Sequence, residues 1–250
     1  HMAYMTSESL KELQGRLGKA LSEFDRLCSE ADCEYSLMCG TLLGAVRHHG
    51  FIPWDDDVDV VMFRDEFDKF RSYCARSENM GEAYLDETDT WVPRIRIDKS
   101  KEVFVDIFIL DKVAPSKAEH KKTKFKLKIL QGMMKKDIVY KRYSLPNKML
   151  VLATHIMGLP FSFDWKYRKY HRLAQKFNDT DSDRYYIADG AFSVMSMIWR
   201  KEHFSSFVRC PYGDEKFLIT KAYKPVLTKL YGPTYMQLPP EEDRIPKHNS

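Results

Sequence analysis

Apolar residues recur at three- and four-residue intervals across residues 6–31: Leu10, Leu13, Leu17, Leu21, Phe24 and Leu27 form one stripe, and Ser7 or Ser9 stands where a helix start needs a cap. The stripe reads as core. Tyr35–Cys39 (YSLMC) is a short apolar run halted at Gly40, as in a buried strand. Thr41–His49 returns to helical spacing through Leu42, Leu43 and Val46, with Gly50 as the expected C-terminal cap. Val58–Met62 reads as a strand, and Arg64–Arg76 as a helix with Phe67, Phe70 and Cys74 inward. Trp91–Ile97 and Val103–Leu110 alternate or run apolar around a short polar connector, which predicts an antiparallel hairpin.

Downstream, residues 117–176 predict two or three helices with breaks near Leu145-Pro146 and Gly158–Pro160. Tyr185–Ile187 and Phe217–Ile219 are expected as short strands and Lys221–Tyr231 as a helix, followed by an irregular proline-rich tail. The elements add up to an α+β chain. Three segments are expected to form one unit: a core over 6–116, a basic helical insertion over 117–180, and a C-terminal part over 181–250.

Composition narrows the class. A chain of 250 residues, 44% apolar and 30% charged, can bury a sizeable core. The leading His-Met reads as a tag remnant, no secretory signal follows it, and Met149–Phe163, the most apolar stretch, is interrupted by His155 and Pro160. The expectation is a cytoplasmic protein. Five cysteines without paired spacing read as reduced thiols. Charge is segregated: residues 117–176 hold sixteen Lys/Arg against three acids, a local +13, which leaves about −9 elsewhere against the net +4. Such a basic face suits an anionic membrane surface, or long-range attraction of an anionic substrate.

The chemistry concentrates in GTLLGAVRHHGFIPWDDDVDVV, Gly40–Val61. On a strand, Asp57 and Asp59 point the same way, roughly 6–7 Å apart. Carboxylates so placed call for a cation between them, most simply a divalent ion. Asp106 lies inside the apolar strand Val103–Leu110, where a carboxylate is costly unless paired or metal-bound. Three such acids on neighbouring strands suit one or two magnesium ions, manganese being the substitute, clamping an in-line phosphoryl displacement. Gly40 leaves helix-start N–H groups open to a phosphate, Thr41 adds a hydroxyl, and Arg94 and Arg96 share one strand face. Blander readings stand beside these: an acidic surface turn, a strand-ending glycine, a solvated arginine face. Asp106 tips the balance. Neighbouring His48 and His49 diverge by ~100° on a helix and make a poor shared ligand pair.

These residues resemble the signature of the LicD family, which includes bacterial phosphocholine transferases and, more distantly, the fukutin-type enzymes. Gly40-Thr41, Asp57-Val58-Asp59 and Asp106 match the helix-start glycine, Asp-x-Asp pair and later Asp of the polymerase-β-like nucleotidyltransferase superfold, with threonine in place of serine. Phe204, Tyr212-Gly213 and LYGPTYMQLPPEEDR (Leu230–Arg244) resemble the family's closing motif, one residue longer between its YG and YM. The resemblance implies a mixed sheet flanked by helices. It implies transfer of a phosphocholine-like group from a CDP-linked donor, CDP-choline first, to a sugar hydroxyl of lipopolysaccharide, teichoic acid or another surface glycan precursor. Asp57, Asp59 and Asp106 would hold magnesium, and Gly40, Thr41, Arg47, Arg94 and Arg96 would meet the donor phosphates. Asp55, Asp56 and His49 would support the site, with Tyr231 and Tyr235 as aromatic candidates for the head group. Lipid-linked acceptors would bring the protein to the inner face of the membrane. Two other classes stay open: an Asp-x-Asp glycosyltransferase using a nucleotide sugar, and a non-catalytic basic module for membranes. No nucleic-acid motif accompanies the basic stretch, and no nucleic-acid partner is expected.

Overall fold

A computed structural model describes residues 7–100, 102–136, 145–190 and 192–246. The chain divides into two units, the first built from 1–85, 94–109 and 200–250, the second from 86–93 and 110–199.

The first unit begins with helix α1, Ser7–Glu30, whose predicted stripe is buried along its whole length. Phe24 meets Tyr35 and Phe70 edge-on, at 4.9 Å and 5.3 Å between ring centroids. Each fully buried Leu or Phe of such a stripe contributes about 1.5–3 kcal/mol of transfer free energy. Strand β1 is only Ser36–Leu37, shorter than the apolar run suggests, because helix α2 already starts at Cys39 and runs to His48. Cys39 has a φ of +50°, and the left-handed residue closing α2 is His49, φ 54°, instead of the expected Gly50. Strand β2, Asp59–Phe63, pairs antiparallel with β1 through Ser36↔Val61 and leaves Asp57 just ahead of the strand. Helix α3 spans Arg64–Arg76 as predicted, with Phe67 and Phe70 buried and Cys74 half-buried.

Three further strands follow: β3, Tyr84–Asp86; β4, Arg94–Arg96; and β5, Val105–Lys112. The expected hairpin is present as β4 against β5, in register Arg94↔Asp106 and Ile95↔Val105. The order in this unit is β1-β2-β5-β4-β3. Near its end the chain adds a two-stranded hairpin, β8 (Phe207–Tyr212) and β9 (Glu215–Thr220), and helix α8, Tyr223–Tyr231. The hairpin is tied to β1 by the Thr220 N–H donating to Ser36 Oγ at 2.9 Å.

In the second unit, helices α4 (Lys117–Met134), α5 (Leu145–Gly158) and α6 (Phe163–Ala174) fill the basic stretch. Residues 137–144 lie outside the description. Ser116 and Ser162 cap α4 and α6, accepting from Glu119 and Trp165 N–H groups. Strand β6, Arg184–Ile187, pairs with the Leu110–Lys112 end of β5; a short helix α7, Phe192–Met195, and β7, Trp199–Arg200, follow. The core holds Leu127, Leu130, Met134, Tyr167, Tyr170 and Tyr186. Trp91, read as the start of a strand, donates its indole N–H to the Asp189 carbonyl at 3.0 Å, and its own carbonyl meets His171 Nε2 at 3.0 Å. Strand β4 begins only at Arg94.

Candidate active site

The acidic turn is positioned by hydrogen bonds from three directions. Gln14 of α1 donates its amide to the Asp55 and Ile52 carbonyls at 2.8 Å and 3.1 Å. The Asp106 N–H donates to the Val58 carbonyl at 2.9 Å, which sets β5 beside the segment between Asp57 and Asp59. Thr41 Oγ1 accepts the Asp59 N–H at 2.9 Å. Expected as a phosphate ligand, Thr41 is instead buried and fastens the start of β2 to α2.

Gly40 stands within the first turn of α2, with Asp55 directly over it: a Cβ there would lie 2.6 Å from Asp55 Oδ2. Any side chain at this position would force that carboxylate to shift. Burial, then the charges of Asp57, Asp106 and Asp55, push the Asp59 carboxyl well above the usual carboxylate range, against a hydrogen bond with Cys39. Burial and the Asp59 and Asp57 charges raise the Cys39 thiol likewise. The positive φ of Cys39 sits at this point of greatest electrostatic crowding, where backbone strain is characteristic of functional sites.

Asp106 and Arg94 form a half-buried ion pair, Nε to Oδ1 2.7 Å, made by their cross-strand register. Both predicted arginines lie against Phe104, with Arg94 Cζ 3.8 Å and Arg96 Cζ 5.2 Å from the ring centre. Arg96 is buried and donates to the Ser100 carbonyl at 3.4 Å; it points away from a solvated face. Arg47 was read as a phosphate contact. Its guanidinium spans to the far end of the chain, donating to the Tyr235 and Gln237 carbonyls at 2.9 Å and 3.0 Å.

That clamp draws the closing segment over a cavity of about 670 Å³. Cys39, Gly40, Asp55, Asp57 and Asp59 line one side, and Tyr231, Tyr235, Gln237, Leu238 and Asp243 the other, with Trp54 and Arg47 between. Burial, then Cys39 and the three aspartates, hold the Tyr231 hydroxyl protonated far beyond its ordinary range. Asp56 is buried but does not line this cavity, and neither do Asp106 and Arg94. His49 is exposed and acts through its backbone, its carbonyl accepting Gly213 N–H at 2.7 Å. Sequence reasoning missed Cys39, Trp54 and Gln14. The first two sit inside or beside the singled-out signature; nothing local marks Gln14.

Among the described residues, no three His, Cys, Asp or Glu side chains converge as they stand on one ion position. The donor set nevertheless fits a hard divalent cation. Burial and then the neighbouring carboxylates raise Asp59, and magnesium needs only one or two protein carboxylates when phosphates and water complete its shell.

Comparison with known proteins places this arrangement. Residues 32–152 match the family model described as LicD/FKTN/FKRP, nucleotidyltransferase domain. The chain is also 30% identical over 267 residues to the lipopolysaccharide cholinephosphotransferase LicD of Haemophilus influenzae, covering 98% of this chain and 97% of that protein. The chain belongs to the LicD family. An uncharacterised protein of Rickettsia prowazekii is 28% identical over 122 residues, 43% of this chain and 46% of its own.

Proposed function

We propose that this protein is a magnesium-dependent transferase that moves a phosphocholine-like group from a CDP-linked donor to a sugar hydroxyl of a cell-surface glycan precursor. The observation that carries the reading is the set Asp55, Asp57 and Asp59 lining a cavity beside Gly40, with the Asp106 charge also acting on Asp59. The relative's activity on lipopolysaccharide supports it.

Asp57 and Asp59 would hold the cation, with Asp106 joining as it exchanges its Arg94 partner. The bound ion would supply neutralisation of the diphosphate. The acceptor oxygen forms its bond to the phosphorus bearing the choline, the bond from that phosphorus to the CMP oxygen breaks, and the hydroxyl proton passes to a site carboxylate. Arg94, paired with Asp106, would add positive charge near the phosphate of the leaving CMP. Arg47 holds the Tyr235–Gln237 segment as the cavity wall. Trp54, Tyr231 and Tyr235 line the cavity with aromatic surface, which suits a trimethylammonium head group through cation–π attraction.

Incubation with CDP-choline, magnesium and a lipopolysaccharide acceptor should release CMP, read by phosphorus NMR. Asp57→Asn should slow release roughly 10²–10³-fold, the usual cost of removing one electrostatic stabiliser, with an unchanged circular dichroism spectrum. Absence of magnesium-dependent cleavage of any CDP-alcohol, with Asp57→Asn equal to wild type, would sink the reading. Release of UDP from a UDP-sugar would replace it with glycosyl transfer.

A further inference from the structure

Helix α5 has the polarity of an ordinary surface helix turned inside out. Met149, Leu150, Leu152, Ala153, Ile156 and Met157 recur at helical spacing on its solvent face, and Met149 is 74% exposed. Leu159, 68% exposed, and Phe161 extend the surface past the helix end, where Phe161 stacks on exposed Trp165 of α6 at 4.3 Å. The inward face is small: Thr154 and Gly158 are buried.

The helix is firmly seated. A Cβ on Gly132 of α4 would lie 2.2 Å from Thr154 Oγ1, and one on Gly158 would lie 2.8 Å from the Met133 carbonyl oxygen. Lys166 closes the α5 end by donating to the Gly158 and Met133 carbonyls at 3.3 Å and 3.1 Å. The exposed apolar stripe is therefore a fixed feature of a packed helix.

We infer that this face is an interfacial anchor that inserts into an anionic membrane. Charge selects the occupant. Residues 117–176 carry sixteen Lys/Arg against three acids, and α5 contains no acid at all. A second copy would bring like charge against like charge, whereas an anionic headgroup layer complements both the lysines and the apolar stripe. At 14 residues, α5 is too short to span a bilayer and no described helix is long and apolar enough to cross one, so α5 lies in the interface plane. The Phe161–Trp165 stack is of the type that settles at headgroup depth. The inference is independent of the reaction proposed above.

Flotation of the full chain with phosphatidylglycerol–phosphatidylcholine vesicles tests it. Binding to mixed but not pure phosphatidylcholine vesicles is expected, weakened by salt, and weakened roughly tenfold or more by Ile156→Glu with Leu159→Glu. Brominated lipid should quench wild-type fluorescence more than that of Trp165→Phe. Met149→Ser, at the most exposed position, is the milder variant should the glutamates unfold the protein, as checked by circular dichroism. Binding unaffected by the apolar substitutions overturns the proposal, as does equal binding to neutral vesicles. Self-association abolished by those substitutions, with no vesicle binding, assigns the face to a second copy instead.

Discussion

At Gly40 a single missing methyl group decides whether the acidic turn can sit on the start of α2. The space a Cβ would take is already occupied by Asp55 Oδ2 at 2.6 Å, and Asp55 is held from behind by Gln14. Gly40→Ala must displace that carboxylate; overpacking of this kind costs about 1–3 kcal/mol. Thermal unfolding should show this loss, and Asp55→Ala in the same chain should restore part of it, since the two residues share one contact. Equal losses with and without Asp55 would remove the steric explanation. Arg47 acts differently. Arg47→Met deletes two charge-assisted hydrogen bonds to the closing segment but no acidic residue, so it should raise the KM for the donor more than it lowers kcat. A fall in kcat alone would place Arg47 in the chemistry instead of the wall.

Among the elements, legibility followed periodicity and length. Helices α1 and α3 were readable because long runs of apolar residues repeat at helical spacing, and the β4–β5 pairing because two apolar runs flank a short polar connector. Strands β3 and β7 have three and two residues, too few for an alternation to register, and β8 carries Pro211 within its pattern. The acidic half of the site was visible in one signature, and Tyr231 and Tyr235 of the far wall in the closing motif, whereas the contact that joins the two was not: Arg47 and Tyr235 are 188 residues apart, and no local pattern announces it. Thr41 shows a subtler limit. A hydroxyl at a helix start suits a phosphate or a neighbouring backbone equally, and only the fold chose the Asp59 N–H. Element-scale energetics rest on α1: Leu21, fully buried beneath the sheet-bearing unit, should cost about 2–5 kcal/mol on truncation to Ala, measured by urea unfolding.

For the molecule as a whole, acid stability is set in part by a histidine that takes no part in the site. His120 of α4 is buried edge-on against Tyr186 at 4.9 Å, and neither ring nitrogen has a hydrogen-bond partner among the described residues. Burial, then the positive charges of Lys124 and Arg184, lower its pKa from 6.5 to about 4. The sign follows from linkage: above pH 6.5 the ring is neutral in both states and contributes no pH dependence. As the pH falls from 6.5 toward 4 the unfolded chain binds a proton that the native state refuses, and the native state loses ground until its own ring titrates. Tm should therefore fall through this window, and His120→Phe, which keeps an aromatic against Tyr186 without a titrating nitrogen, should flatten the decline. The lysines and arginines of residues 117–176 cannot produce the same signature, because they stay protonated throughout this window. An unchanged slope in His120→Phe would overturn this assignment; Asp59 could not replace it, because a carboxyl raised in the native state favours folding as the pH falls.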